Sequence, residues 1–307
     1  MLKYGSYHRT TTFDGMEINY SVDMVRYSFK YDFDSPICSD FQRLYDKLSD
    51  KIETNLFRTS KAFQYTNLFV FTVGECVIKV GIGLNGINRE DNFKCFLEYN
   101  PNKVDVDLLN MIVETLRPCC LKRWLSLSRW DLAIDIPVER SQACFYKDRR
   151  DYAYFKSARK GITTYLGKRL SEGFTKLYDK TKESDLDYDL TRLEITFGDS
   201  DLPTMPDVYI DGGQTNLMVA LSGTNRVLAL LLNQLDETDF QTYYGMLNYK
   251  LRKKLEPHVK KGKKLEYDYK VIYELMMDIK KFEKEFNIDD DFHNLKFMNI
   301  ESPFFNA

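Results

Sequence analysis

Histidine is scarce in this 307-residue chain: His8, His258 and His293 are the only three, and no two stand at a metal-ligand spacing. No His-x-His pair exists, which excludes a nucleotidyl transferase built on one. Nothing in the histidine separations points to a Ser–His–Asp or Cys–His arrangement. The six cysteines, Cys38, Cys76, Cys95, Cys119, Cys120 and Cys144, form no CxxC pair. With no accompanying histidine spacing, a structural zinc site is not expected, and several fall in apolar strand-like runs that suit buried thiols. Long apolar runs are also lacking. The best candidate, Leu217 to Leu235, is broken by Asn225 and Arg226, so no bilayer span and no membrane partner is expected. The first residues, MLKYGSYHRTTTFD, lack the apolar core of a secretory signal, and the expected compartment is the cytoplasm. Charge of one sign is missing too. The 44 Lys and Arg against 46 Asp and Glu leave a net charge of -2, which excludes a uniformly basic coat for nucleic acid but not local basic surfaces.

What is present is a globular composition, 43% hydrophobic and 29% charged, with 21 Tyr and 21 Phe to fill a core. Its patterning predicts strands at 18–33, 66–73, 75–83, 92–100, 128–138, 162–169, 174–182 and 191–197, rich in Val, Ile, Tyr, Phe and Thr. The LSEG segment between the 162–169 and 174–182 strands reads as a hairpin turn. Apolar spacing of i, i+3 and i+4 predicts helices at about 40–56 (Phe41, Leu44, Tyr45, Leu48, Ile52) and at 104–116. Residues 201–216 carry two Pro and two Gly and read as a linker or loop. Beyond it the period is helical, at 225–235, 238–255 and 267–286, with PHVKKGK separating the last two. The expected fold class is α+β: a mainly antiparallel sheet domain with flanking helices at 1–200, then a helical region at 217–307.

Gly81-Ile-Gly83-Leu-Asn-Gly86 matches GxGxxG after a strand, but no helical stripe follows to aim an N-terminus at a pyrophosphate, so these glycines read as a hairpin loop. Basic residues cluster at Lys250, Arg252, Lys253, Lys254, Lys260, Lys261, Lys263 and Lys264, against the single Glu256, and again between Lys147 and Lys182. Such runs are more often a solvated face than a DNA contact, although here they border the strands that carry the chemistry.

Those strands hold acidic residues in patterned places. Arg129, Asp131, Ala133 and Asp135 share one face of a strand, and Arg192-Leu-Glu194 repeats the Arg-x-acid pattern on a later one. Glu98 lies in a further apolar strand. Cross-strand Arg–carboxylate pairing and a carboxylate cluster for Mg²⁺ or Mn²⁺ are equally good accounts of these residues. Residues four apart on a strand are roughly 13 Å apart, so Asp131 and Asp135 would not share an ion. Tyr178 falls between Lys176 and Lys180, expected on its own strand face, where two ammonium groups would favour the phenolate and hold a phosphate. Among 21 tyrosines, spacing alone does not single it out.

Four segments in order resemble the Rep_trans family of replication initiators of staphylococcal-type rolling-circle plasmids: FLEYNPNKVD (96–105), SRWDLAIDIP (128–137), YLGKRLSEGFTKLYDK (165–180) and TRLEITF (191–197). The third resembles the family's Tyr-x-Gly-x-Arg, Ser, Arg-x-Tyr-x-Lys block, with Lys176 where that block usually has Arg, and the 228–255 segment resembles the family's C-terminal helices more weakly. Lys keeps the charge but loses the bidentate fork. The resemblance implies a site-specific DNA nicking and joining enzyme whose tyrosine, here Tyr178, forms a 5′-phosphotyrosyl link and leaves a 3′-OH primer. It implies Lys176, Lys180 and Arg169 as phosphate partners, a divalent Mg²⁺ or Mn²⁺ on Glu98, Asp131 and Glu194 with Asp135 in reserve, and origin recognition by the basic 250–264 stretch. The implied partners are double-stranded origin DNA with a locally single-stranded nick site, a second copy in a homodimer, and a host helicase. A nicking relaxase of a mobile element and a catalytically silent DNA-binding homologue are the alternatives.

Overall fold

Two runs rich in Tyr, Val, Ile and Leu make the longest strands of the protein, β2 (Met16–Lys30) and β7 (Ser126–Ile136). The chain is known from a computed structural model that describes residues 7–30, 37–58, 67–83, 94–119, 125–145, 148–169, 171–198, 204–210, 231–232, 235, 237–259 and 263–287. It packs as two units, and the chain passes from one to the other inside β2 and again inside β7. The first comprises Met1–His8, Val22–Asp131 and Ile272–Ala307, and the second Arg9–Ser21 and Leu132–Val271. Both are discontinuous in sequence. The expected division at 201–216 concerns which segment nicks and which reads DNA, a matter separate from packing.

In the first unit β3 (Glu53–Arg58), β4 (Asn67–Val73), β5 (Cys76–Ile82) and β6 (Lys94–Tyr99) run antiparallel in series, and the strand order is β3-β4-β5-β6-β2-β7. Alternate residues turn inward, so Phe69, Phe71, Ile78, Val80, Leu97, Tyr27 and Trp130 are buried. Three helices belong to this unit in whole or part: α1 (Ile37–Leu48), α2 (Val106–Leu116) and most of a long helix starting at Tyr269. Asp105 caps α2, its carboxylate accepting from the Leu108 N–H at 2.9 Å. Leu275, Ile279, Phe282 and Phe286 recur at helical spacing and are buried, with the Phe282 ring 4.7 Å from that of Tyr27. The expected 40–56 helix stops at Leu48, whose carbonyl accepts from both Lys51 and Ile52 N–H in a turn. Residues 53–56 belong to β3, because pairing with β4 (Glu53↔Thr72) satisfies their backbone along a whole ladder.

In the second unit the order is β7-β12-β11-β10-β9, formed by β9 (Tyr152–Ser157), β10 (Gly161–Leu166), β11 (Thr175–Asp179) and β12 (Thr191–Phe197) beside the end of β7. β10 and β11 make the antiparallel hairpin expected around LSEG. β1 (His8–Phe13) joins β2 through Asp14-Gly15, whose φ values of 50° and 78° suit the mirror-image hairpin turn that Asp-Gly favours. Inside the segment expected as a loop, β13 (Val208–Ile210) pairs with β8 (Ala143–Phe145) and β14 (Lys263–Lys264). The expected 174–182 strand ends at Asp179, whose carboxylate accepts from Lys182 N–H at 2.9 Å and starts a short helix, α3 (Lys180–Ser184). The expected 238–255 helix is two helices, α4 (Glu237–Met246) and α5 (Tyr249–Val259), because Asn248 caps the second through Leu251 N–H at 3.0 Å. Val271 closes the unit within the long helix, α6 (Tyr269–Asn287). The fold class is α+β with mainly antiparallel strands. Among the described residues no helix is long and apolar enough to cross a membrane. Gly81 and Ile82 lie in β5, which is antiparallel to β6, and Gly83 follows with a φ of 76°; residues 84–93, with Gly86, lie outside the described residues.

Candidate active site

Strand alternation sorts the second unit's sheet into two faces. Leu132, Ile134, Leu177, Leu193 and Ile195 are buried on one. The other carries Asp135, Arg192, Glu194, Lys176, Tyr178, Thr163 and Tyr165. Register builds this polar face in rows: Tyr178 stands between Thr163 and Arg192, and Lys176 between Tyr165 and Glu194. Tyr178 Oη donates to Glu194 Oε1 at 2.5 Å. Lys176 Nζ lies 3.3 Å from the centre of the Tyr178 ring, 3.5 Å from Glu194 Oε2 and 3.7 Å from Glu183 Oε1. Lys180 Nζ pairs with Glu183 Oε2 at 2.9 Å and stands 5.9 Å from the same ring centre. Asp135 holds Arg192 through two bonds of 2.6 and 2.8 Å.

This arrangement corrects the expected phenolate. Burial, and after it the Glu194 carboxylate, push the Tyr178 pKa above its ordinary value, and nearby Arg192 does not offset them. The lysines fail to lower it for a structural reason. Lys176 sits over the ring face and between two carboxylates, while Lys180 belongs to α3, not to the strand, and is paired with Glu183. Burial raises the Glu183 pKa, but Lys180 and Lys176 outweigh it and hold the carboxyl low. At rest, Tyr178 is a protonated, 3% exposed donor whose proton faces a carboxylate. Arg169 lies on the exposed turn after β10 and is felt by Tyr165.

The other expected acidic residues are held by cations. Glu98 on β6 is flanked across the ladder by Arg26 and Lys79; Arg26 Nε bonds Oε2 at 2.8 Å, its Nη2 reaches the same oxygen, and Lys79 Nζ bonds Oε1 at 3.0 Å. Burial pushes the Glu98 carboxyl up, but Arg26 and Lys79 prevail and keep it below the usual range. Asp131 accepts from Arg129 at 2.8 to 3.2 Å. Among the described residues no three His, Cys, Asp or Glu side chains are grouped to hold a metal ion. Arranged in this way Glu98, Asp131 and Glu194 do not fit a divalent metal: Arg26–Glu98 and Arg192–Asp135 are ion pairs between strands, and Arg129–Asp131 is one along β7.

The basic stretch is divided among elements. Lys250, Arg252, Lys253 and Lys254 lie on α5, with Lys250, Lys253 and Lys254 exposed. Lys263 and Lys264 lie on β14 and pair with Asp14 and Asp207, the latter at 2.6 Å. Lys260 and Lys261 lie outside the described residues. Missed altogether in the sequence were β9 and its exposed Phe155, although YAYFKS alternates ahead of the turn residues SARKG.

No protein-family model and no curated protein matches the chain. Among the solved structures similar to this chain is a rolling circle replication initiator protein from Geobacillus stearothermophilus, at 14% identity and a TM-score of 0.34, over 60% of this chain and 75% of that one.

Proposed function

We propose that this chain nicks and rejoins one strand of origin DNA through Tyr178, as an initiator of rolling-circle replication. The observation that supports this most directly is the hydrogen bond from Tyr178 Oη to Glu194, with Lys176 and Lys180 beside the ring. A phosphodiester arriving at this face draws Lys176 from the ring onto its oxygens, which uncovers the phenol. Tyr178 Oη then attacks phosphorus while its proton passes to Glu194, a base already at hydrogen-bond distance. The bond from phosphorus to the 3′ oxygen breaks, and that oxygen takes a proton from water and becomes the free 3′-OH. Lys176 and Lys180, with Arg169 from the neighbouring turn, offset the charge on the phosphoryl oxygens. Protonated Glu194 returns its proton to the phenol when a 3′-OH attacks the phosphotyrosine, so the same groups perform joining.

Recognition of duplex DNA belongs to the same proposal and falls to the exposed cations of α5. Each phosphate contact releases counterions, so neutralising Lys253 and Lys254 lowers the salt slope of binding by about two. An unchanged slope removes them from the interface.

The burial of Tyr178 favours a second reading, a catalytically silent DNA-binding homologue. One experiment separates the two. The protein is incubated with supercoiled plasmid carrying its native replicon, with and without Mn²⁺, and a denaturing gel is read for a protein–DNA adduct. An adduct lost in Tyr178→Phe establishes the nucleophile, and the metal-free lane reads metal dependence directly. DNA binding without any adduct in the wild type establishes the silent homologue.

A further inference from the structure

Beside Tyr178, on the same face of the second unit, lies a cluster of three aromatic rings. Phe155 on β9 is 61% exposed. Its ring meets Tyr165 nearly edge-on, with centroids 5.7 Å apart and planes at 77°. Tyr165 in turn stacks on Phe174 at 5.7 Å and 18°. Thr163 is the register partner of Phe155 on one side and of Tyr178 on the other. Phe155 and Tyr178 therefore stand in one row across three strands, two strand spacings or about 10 Å apart. Residues 152–170 contribute Lys156, Arg159, Lys160, Lys168 and Arg169 and no carboxylate, and all five cations are exposed.

We infer that Phe155, Tyr165 and Phe174 form a stacking platform for an unpaired DNA base within one or two nucleotides of the phosphate that reaches Tyr178. An exposed ring on a hairpin whose end turns carry exposed Arg159, Lys160, Lys168 and Arg169 suits a ligand that offers a flat π-face and a phosphate on every repeat, which is single-stranded nucleic acid. A paired base has both faces covered by its neighbours in the duplex, so the platform selects melted DNA. This inference rests on the nicking proposal for the place of the scissile phosphate, but the stacking itself requires no chemistry.

The test uses the full chain carrying Tyr178→Phe, so that binding is read without reaction. Fluorescence anisotropy at fixed salt compares a labelled single-stranded oligothymidylate with a labelled duplex of equal length. Phe155→Ala is expected to weaken single-strand binding about 10-fold and leave duplex binding unchanged, and Phe155→Trp to restore it with quenching of the new indole on binding. Because Phe155 is mostly exposed, truncation leaves the fold intact, which thermal unfolding checks. Equal single-strand affinity in Phe155→Ala, or an equal loss for both ligands, overturns the platform. The adduct assay in Tyr178-containing protein is separate: no adduct together with the Phe155 effect overturns nicking and leaves the platform standing.

Discussion

Replacing Glu194 by Gln keeps the size and an acceptor oxygen facing Tyr178 while removing the negative charge. If Glu194 takes the phenolic proton, adduct formation loses the contribution of a positioned base, about 10²- to 10⁴-fold, or roughly 3 to 5 kcal/mol of barrier. Stability changes far less. A hydrogen bond to a charged group is worth about 1.5 to 3 kcal/mol, and with the Glu194 side chain 22% exposed and Lys176 still beside Glu183 the expected loss is about 1 kcal/mol. The assay is single-turnover adduct formation between roughly pH 4 and pH 10, the ordinary carboxylate and phenol values. The wild-type rate rises as the carboxylate ionises and then levels. In Glu194→Gln it stays low throughout this range, because the phenol ionises only above it: burial, the largest of the causes that raise the Tyr178 pKa, remains. An unchanged rate and profile would refute the assignment. Loss of rate repaired by excess Mn²⁺ would make Glu194 a metal ligand instead.

Two further outcomes concern stability. The Tyr178 pKa is raised in the folded protein, so the stability its neutral phenol supplies is fully present below about pH 10 and is lost as pH rises beyond it, by about 1.4 kcal/mol per pH unit. Denaturant titrations on either side of pH 10 should show Tyr178→Phe with a shallower alkaline decline by one proton. It does not vanish, since burial also raises Tyr7 to about 12 and lifts Tyr20 and Tyr267; an identical slope would place Tyr178 in water. Glu98 has a lowered pKa, so its contribution is present above the ordinary carboxylate range and disappears as pH falls through the folded value. Glu98→Gln should cost about 1 to 2 kcal/mol at neutral pH, because Arg26 and Lys79 are 27% and 43% exposed and regain water, and almost nothing in acid. Stabilisation of the wild type by Mn²⁺ that Glu98→Gln abolishes would instead support the metal site.

Local periodicity determined much of this protein. The alternation in MEINYSVDMVRYSFK and TRLEITF, and the apolar stripe of VDLLNMIVETL behind Asp105, specify β2, β12 and α2 because side-chain period and capping act within a few residues. The Asp14-Gly15 turn is also set locally, because Asp-Gly favours a hairpin in its own right, although the expected strands began only at residue 18 and left it unread. Where two short-range signals compete, tertiary contacts choose. Ile52 continues the spacing of α1, yet pairing with β4 claims residues 53–58 as β3; Lys180 continues the alternation of β11, yet the Asp179 carboxylate turns the chain into α3. The candidate site depends most on structure. Residues 176–180 present a tyrosine between two lysines, which by themselves favour a phenolate. The strand register brings Glu194, sixteen residues further on, against the hydroxyl, and burial adds to it. A pKa answers to every charge within a few ångströms and to the water removed, whereas sequence spacing reports only neighbours on one element, so the phenol's state was decided by β12 rather than by the lysines beside it.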